Sequence, residues 1–295
     1  MRGLNLSGRL KDPGFPLRRR RAAYALPTLL TAGNVFLGFV AMIQSIQGIM
    51  AGSAGNLGPN PHFAMAALVI GVAVILDGLD GRIARMTNTA SEFGREMDSL
   101  ADVITFGLAP AVLAFAWGVQ FAVVEVLPLH DHLHRLGYFV TFLYLLCGAA
   151  RLARFNIQKN PVPKNPGRPD RKYFVGLPIP AAAALIASVV YISDGVPLLD
   201  WPFALGWLGL LALLSFLMVS TWRYPSFKDV QLLRPRSPLI VISWGALIYL
   251  VWHYPQPMLL AMAGAYVAGG ILIRMGGVLR RWVRRAPPEP EHQVE

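Results

Sequence analysis

The sequence predicts an all-α fold, a polytopic bundle of about eight transmembrane helices with both chain ends in the cytoplasm. Of the 295 residues, 55% are hydrophobic and 15% are charged, whereas soluble domains average about 45–50% and about 25%. The apolar residues form repeated stretches, each long enough to cross a hydrocarbon layer of about 30 Å. The basic residues lie almost entirely on one side of the bundle that these stretches predict.

About eight apolar stretches, most of them roughly 18 to 25 residues long, are candidate spans. Their ends are known only to within several residues, because hydropathy changes gradually along the chain. The seventh is short, and the inner ends of the second and third carry charges, so six to eight spans are consistent with the sequence. The stretches lie at residues 22–47, 62–86, 100–127, 133–156, 175–192, 201–221, 238–252 and 258–278.

The distribution of Lys and Arg predicts the orientation. Every one of the 27 except Arg135 lies in a terminal segment, in a connection or at the adjoining end of a span, on the same side of the predicted bundle. Short loops rich in these residues stay in the cytoplasm, which requires an even number of spans. The net charge of +11 is therefore explained by topology and by attraction to anionic membrane lipids. Binding of nucleic acid is not expected, since no soluble domain is available to present a basic patch.

Four aspartates crowd the inner ends of the second and third spans. Asp77 and Asp80 are three residues apart, and Asp98 and Asp102 are four apart, so each pair shares one helical face. A helical hairpin would bring the two pairs together. Carboxylates this close repel one another unless a cation lies among them. Ligation by oxygen alone favours a hard ion such as Mg²⁺, Mn²⁺ or Ca²⁺, and this set could bridge two ions.

Small residues are interleaved with the aspartates. Gly81, Ala84 and Gly94 leave room for a ligand between the helices, and Arg85 could orient a carboxylate or bind a phosphate. The ordinary alternative is a network of surface ion pairs between the aspartates and the neighbouring arginines. We favour the metal site, because ionisable groups inside otherwise apolar spans are costly to maintain.

At these residues the sequence resembles the CDP-alcohol phosphatidyltransferase family. The family motif, D-x2-D-G-x2-A-R-x8-G-x3-D-x3-D, is matched at every fixed position from Asp77 to Asp102. The resemblance implies a homodimeric membrane enzyme with a six-helix core that transfers a phosphatidyl group from a CDP-lipid to an alcohol. It divides the chain into a basic tail, the core, a cytoplasmic loop with two further spans, and a disordered tail. These correspond to residues 1–21, 22–221, 222–278 and 279–295.

The resemblance also implies roles for individual residues. The four aspartates would hold Mg²⁺ or Mn²⁺, as one or two ions, and Asp102 would in addition act as the general base. Asn34 lies at the level of the first span where a nucleotide base could bind, although an interhelical hydrogen bond is an ordinary alternative role. The residues expected to contact the CDP-lipid are Asn34, Asp77, Gly81, Ala84, Arg85 and Gly94.

The flanking sequence indicates the acceptor alcohol. Residues 98–110 (DSLADVITFGLAP), 151–156 (RLARFN) and 174–180 (FVGLPIP) resemble the bacterial branch of the family that uses L-serine. The resemblance implies formation of phosphatidylserine and CMP from CDP-diacylglycerol and L-serine at a bacterial inner membrane.

Four residues near the aspartates are candidates to bind the acceptor: Ser99, Thr105, Arg151 and Arg154. The two arginines could bind a carboxylate, but they could equally anchor the bundle at the membrane surface. The two hydroxyls could bind substrate or bond within their own helices. The same chemistry with glycerol phosphate, inositol phosphate or choline remains an alternative, as does a divalent-cation transporter.

Overall fold

The computed structural model describes residues 17–87, 92–123, 127–159, 173–225 and 238–283. This part of the chain is helical apart from short connections and two three-residue strands. A π-helical segment, Val103–Leu108, joins the third helix to the fourth without a break. In chain order the helices are α1 (Leu17–Ser53), α2 (Pro61–Thr87), α3 (Glu92–Asp102), α4 (Ala109–Gly118), α5 (Leu127–Lys159), α6 (Ile179–Ile192), α7 (Trp201–Val219), α8 (Pro238–His253) and α9 (Pro255–Val283).

Six segments within the described ranges are long and apolar enough to cross a membrane, so the predicted class, a helical membrane protein, is confirmed. The fifth and seventh predicted spans correspond to α6, with 14 residues, and α8, with 16. Both are shorter than the roughly 20 residues of a full crossing. The count of eight spans therefore stays a prediction. The six segments are Leu29–Ser53, Pro61–Asp80, Glu96–Gly118, His130–Ile157, Trp201–Val219 and Pro255–Gly276.

Some helix ends differ from those that hydropathy predicts. Helix α1 begins at Leu17, inside the segment assigned to the basic tail, and α4 ends at Gly118 although the third span was expected to reach residue 127. The turn that follows α4 contains Val119 and Ala122, which are apolar and almost fully buried. Composition alone cannot distinguish such a turn from the helix before it. The outermost parts of both predicted tails lie outside the described residues.

Helix α2 lies between α1 and α6. Alanines supply much of its buried face and of the buried face of α6, and side chains this small let the helix backbones approach closely. The buried alanines are Ala66, Ala67 and Ala73 on α2, with Ala182, Ala183 and Ala187 on α6. This packing fixes the position of α2, and therefore of the aspartates near its C-terminal end.

The two strands form an antiparallel ribbon that the sequence did not predict. Strand β1 (Tyr173–Val175) pairs with β2 (Arg223–Pro225), with Phe174 opposite Tyr224. The ribbon leads into Gly176, whose φ is +78°, and a Cβ there would lie 2.5 Å from the Met218 carbonyl oxygen. Only glycine tolerates both conditions. The ribbon therefore holds the start of α6 against the end of α7, at the end of the bundle that carries the aspartates.

Candidate active site

Three of the predicted metal ligands meet in one place. Asp77 lies near the C-terminal end of α2, and Asp98 and Asp102 lie on α3. One carboxylate oxygen from each of them can be chosen so that all three lie within 4.8 Å of one another. The predicted helical hairpin is therefore formed by α2 and α3, although its connection, residues 88–91, lies outside the described residues. We call this group the aspartate cluster, and the end of the bundle that carries it the aspartate end.

Asp80 lies beside the cluster. Its side chain is buried, with 4% of its surface exposed, and its carboxylate interacts electrostatically with Asp102. Among the described residues, the carboxylate oxygens that lie within 4.8 Å of one another come from Asp77, Asp98 and Asp102, and not from Asp80. Its role as a fourth metal ligand stays a prediction.

The chemistry of the cluster fits a divalent cation. Three half-buried carboxylates repel one another, and the repulsion is stronger where water is partly excluded. Oδ1 of Asp102 is buried and has no hydrogen-bond partner among the residues that the structure describes. Buried polar atoms of this kind require a partner, and a hard cation provides one for a carboxylate oxygen. The aspartate cluster is therefore the candidate metal centre.

A widened helical turn begins directly after Asp102. The N–H of Ala109 donates to the Ile104 carbonyl, five residues back, which is the π-helical pattern. Pro110 lacks the N–H that an α-helix would direct to the Phe106 carbonyl. The Tyr144 hydroxyl on α5 donates to that carbonyl instead, at 3.0 Å. The proline and the tyrosine together fix the turn that follows the candidate base.

The same turn is fixed to α1. The Thr105 hydroxyl, fully buried, donates to the Asn34 carbonyl at 3.0 Å. A Cβ at Gly38 would lie 2.9 Å from the Thr105 Cα, so glycine at this position permits the contact. Thr105 is one of the residues predicted to bind the acceptor. In the structure its hydroxyl proton is used in the hydrogen bond to Asn34, which joins two helices. The Asn34 side chain is also buried, and its Oδ1 has no hydrogen-bond partner within the described ranges.

The two candidate arginines have different surroundings. Arg151 is 9% exposed and interacts electrostatically with Asp102, and its Nε has no hydrogen-bond partner in the described part of the chain. Nη1 of Arg154 donates to the Val219 carbonyl at the end of α7, at 3.0 Å. Of the pair, Arg151 is the one placed beside the aspartate cluster, while Arg154 joins two helices.

The remaining predicted residues lie at the aspartate end on α2 and α3. Gly81, Ala84 and Arg85 belong to the last turns of α2, and their surroundings lie outside the described part of the structure. Gly94 is half-buried near the start of α3. The Ser99 hydroxyl accepts a hydrogen bond from Nδ2 of Asn156, at 2.9 Å.

Sequence reasoning missed several residues of the site. In the sequence, Asn156 appears only within the stretch 151–156, and no motif marks Tyr144. The signal that could have led to Tyr144 is Pro110, whose missing N–H leaves the Phe106 carbonyl in need of another donor. Tyr266 on α9 interacts electrostatically with Arg151. It lies in an apolar helix far along the chain, and nothing in its local sequence points to the site.

The fold and the cluster define a class of protein, a helical membrane protein with a candidate divalent-metal centre at one end of its bundle. Residues 24–220 match the CDP-alcohol phosphatidyltransferase family. The chain belongs to that family, as the match covers more than half of it and similar proteins align over most of their length.

Three relatives illustrate the similarity. The CDP-diacylglycerol–serine O-phosphatidyltransferase of Helicobacter pylori is 36% identical over 250 residues, which are 84% of this chain and 90% of the relative. The Bacillus subtilis protein of the same name is 33% identical over 203 residues, 69% of this chain and 91% of the relative. The archaetidylserine synthase of Methanothermobacter thermautotrophicus is 34% identical over 203 residues, 68% of this chain and 70% of the relative.

Proposed function

We propose that the chain transfers the phosphatidyl group of CDP-diacylglycerol to the hydroxyl of L-serine, forming phosphatidylserine and CMP. The aspartate cluster carries this proposal, because it gathers three carboxylates of the family motif in one place. The choice of serine is supported by the names of the relatives that align with 84% and 69% of the chain.

Asp77, Asp98 and Asp102 would hold the divalent ion, Mg²⁺ or Mn²⁺, with Asp80 beside them as the fourth ligand. When bound, such an ion neutralises the diphosphate and stabilises the departing CMP. The cluster lies where α2 and α3 converge, so a lipid nucleotide can approach it from the aspartate end. We assign the nucleotide contacts to Asn34, Asp77, Gly81, Ala84, Arg85 and Gly94.

Transfer is proposed to proceed by direct attack. The serine hydroxyl oxygen forms a bond to the phosphorus that carries diacylglycerol, and the bond from that phosphorus to the bridging diphosphate oxygen breaks. The electron pair of the broken bond leaves with CMP. Asp102 accepts the hydroxyl proton, because a carboxylate has two oxygens, and one can hold the cation while the other accepts from the incoming hydroxyl.

The acceptor is proposed to bind between α3 and α5. Arg151 is buried beside Asp102, and a guanidinium with an unused N–H suits the carboxylate of serine. Ser99 and Thr105 are the candidate hydroxyls, and Arg154 is the second candidate cation. Because Arg154 already donates to the Val219 carbonyl, Arg151 is assigned the larger part of the recognition.

We further infer a homodimer in a bacterial inner membrane, with about eight spans, both termini in the cytoplasm and the aspartate end facing the cytoplasm. The basic tail is assigned to residues 1–21, the family core to 22–221, the loop and two added spans to 222–278, and the final tail to 279–295. The distribution of Lys and Arg, of which only Arg135 departs from the pattern, supports the orientation. The homodimer and the extent of the core are proposed from membership of the family.

An acceptor panel tests the function. The purified chain in lipid nanodiscs is supplied with CDP-diacylglycerol, Mn²⁺ and one alcohol at a time: L-serine, glycerol 3-phosphate, inositol phosphate or choline. We expect CMP release with L-serine and, with the other alcohols, no more than in the absence of any acceptor. Release with another alcohol and none with serine would overturn the proposed acceptor, and no release with any alcohol would overturn the proposed reaction.

A further inference from the structure

Helix α9 lies beyond residues 24–220, the part that matches the family, yet it is fixed to the rest of the bundle at two points. Near its start, Nε2 of Gln256 donates to the Tyr191 carbonyl at the end of α6, at 3.1 Å. Farther along, Gly270 lies against the ring of Tyr224, where a Cβ would overlap the ring carbons. These two anchors hold α9 in one position against α6 and β2.

One face of α9 turns toward the core at the aspartate end. Val267 is buried on this face, and Tyr266 beside it is half-buried. The ring centroid of Tyr266 lies 5.9 Å from that of Tyr224, which is fully buried in β2. The ribbon and α9 thus place two tyrosines next to each other at the end of the bundle where the aspartate cluster lies.

These tyrosines continue a line of polar groups that begins at the cluster. Asp102 interacts electrostatically with Arg151, Arg151 with Tyr266, and Tyr266 with Tyr224. Nε of Arg151 and the hydroxyl of Tyr224 are both buried, and neither has a hydrogen-bond partner among the residues that the structure describes. A buried guanidinium N–H requires a partner, and a polar ligand beside Arg151 would provide one.

We propose that Tyr266 is a positioning residue for the acceptor, which orients the Arg151 guanidinium so that it binds the carboxylate of the incoming amino acid. The inference rests on the proposed function and assigns α9 a role in acceptor specificity. An arginine binds a carboxylate best when its planar group is held in one orientation. The phenol oxygen of Tyr266 can accept from one guanidinium N–H and leave the others for the ligand.

Tyr266→Phe tests this role, since it removes only the hydroxyl and keeps the ring that packs beside Tyr224. We expect the KM for L-serine to rise roughly tenfold, the effect of losing one hydrogen bond to a charged group. The KM for CDP-diacylglycerol and kcat should change by less than about twofold, because the nucleotide contacts lie on α1, α2 and α3. Tyr254→Phe is the matched control, as Tyr254 is exposed just before α9 and should change neither constant.

The outcomes separate this inference from the function on which it rests. An unchanged KM for serine in Tyr266→Phe would overturn the positioning role alone. An equal rise in both KM values, with a lower unfolding temperature, would also overturn it, since that result describes a general loss of packing. If the unmodified chain releases no CMP with serine, the proposed acceptor and the role of Tyr266 are both overturned.

Discussion

The α2–α3 hairpin and the C-terminal helix α9 both reach the aspartate end, but they do so by different means. In the hairpin, side chains three and four residues apart share a helical face. The spacing of the aspartates in the sequence therefore predicts that Asp77, Asp98 and Asp102 lie close together once the two helices pair. In α9, Tyr266 interacts electrostatically with Arg151, and the helix is held by contacts of Gln256 with α6 and of Gly270 with β2, which are distant in the sequence.

This difference teaches where sequence reasoning succeeds. We propose that the hairpin binds the diphosphate and assists the departure of CMP. These steps are the same whichever alcohol accepts the phosphatidyl group. Helix α9 and strand β2 lie beyond the matched residues 24–220, so they are free to distinguish one acceptor from another. Variants in the hairpin should therefore abolish turnover, whereas variants around α9 should change the use of serine.

The largest expected effect is that of Asp102→Asn. The substitution removes the proposed base while keeping the shape of the side chain, so kcat should fall on the order of a thousandfold. Binding of CDP-diacylglycerol, measured by calorimetry with the purified protein, should be largely retained. Asp131→Asn, at an exposed position on α5, is the control and should keep full activity. If Asp102→Asn still turns over at the rate of the unmodified chain, Asp102 is not the general base.

The two arginines offer the next comparison. Arg151→Gln should raise the KM for serine by roughly tenfold to a hundredfold, because a buried cation that pairs with a carboxylate is lost. Arg154→Gln should instead lower the unfolding temperature, since its guanidinium donates to the Val219 carbonyl, and should change the KM for serine much less. Steady-state kinetics and thermal unfolding of both variants in detergent measure the difference. The opposite assignment of effects would place the acceptor at Arg154.

A smaller effect is expected where α9 meets the ribbon. Gly270→Val cannot be accommodated beside the Tyr224 ring, so α9 should shift and the KM for serine should rise about threefold to tenfold. Gly276→Val is the control, because a Cβ there meets open space. Equal kinetics for the two variants would mean that the position of α9 does not affect acceptor binding.

The smallest effect should come from the hydrogen bond between Tyr144 and the π-helical turn. Tyr144→Phe leaves the Phe106 carbonyl without its donor and should lower the free energy of unfolding by about 1–3 kcal/mol. Tyr138→Phe, at an exposed position on the same helix, should leave stability unchanged. Denaturant unfolding of both variants in mixed micelles checks the difference, and equal stabilities would mean that the π-helical turn does not depend on Tyr144.

The predictable part of the molecule was the part governed by local periodicity. Of the about eight stretches that hydropathy predicted, six correspond to segments of spanning length. Of the four aspartates that the motif identified, three meet in one place. The end of α4 and the start of α6 were missed, because buried connections are as apolar as the helices beside them. The π-helical turn depends on a proline in α4 and a tyrosine in α5, and the neighbourhood of Tyr266 depends on packing across the whole bundle. Long-range contacts of this kind leave no regular spacing in a single sequence.

Binding of a divalent cation by Asp77, Asp98 and Asp102 is the premise of the proposed transfer. The direct measurement is a Mn²⁺ titration of the purified chain after treatment with EDTA, with CMP and phosphatidylserine quantified together. We expect neither product without the cation and equal amounts of both with it. Asp77→Asn should need at least about tenfold more Mn²⁺ for half-maximal turnover. Undiminished turnover in EDTA, or an unchanged Mn²⁺ requirement in Asp77→Asn, would contradict the assignment of the cluster.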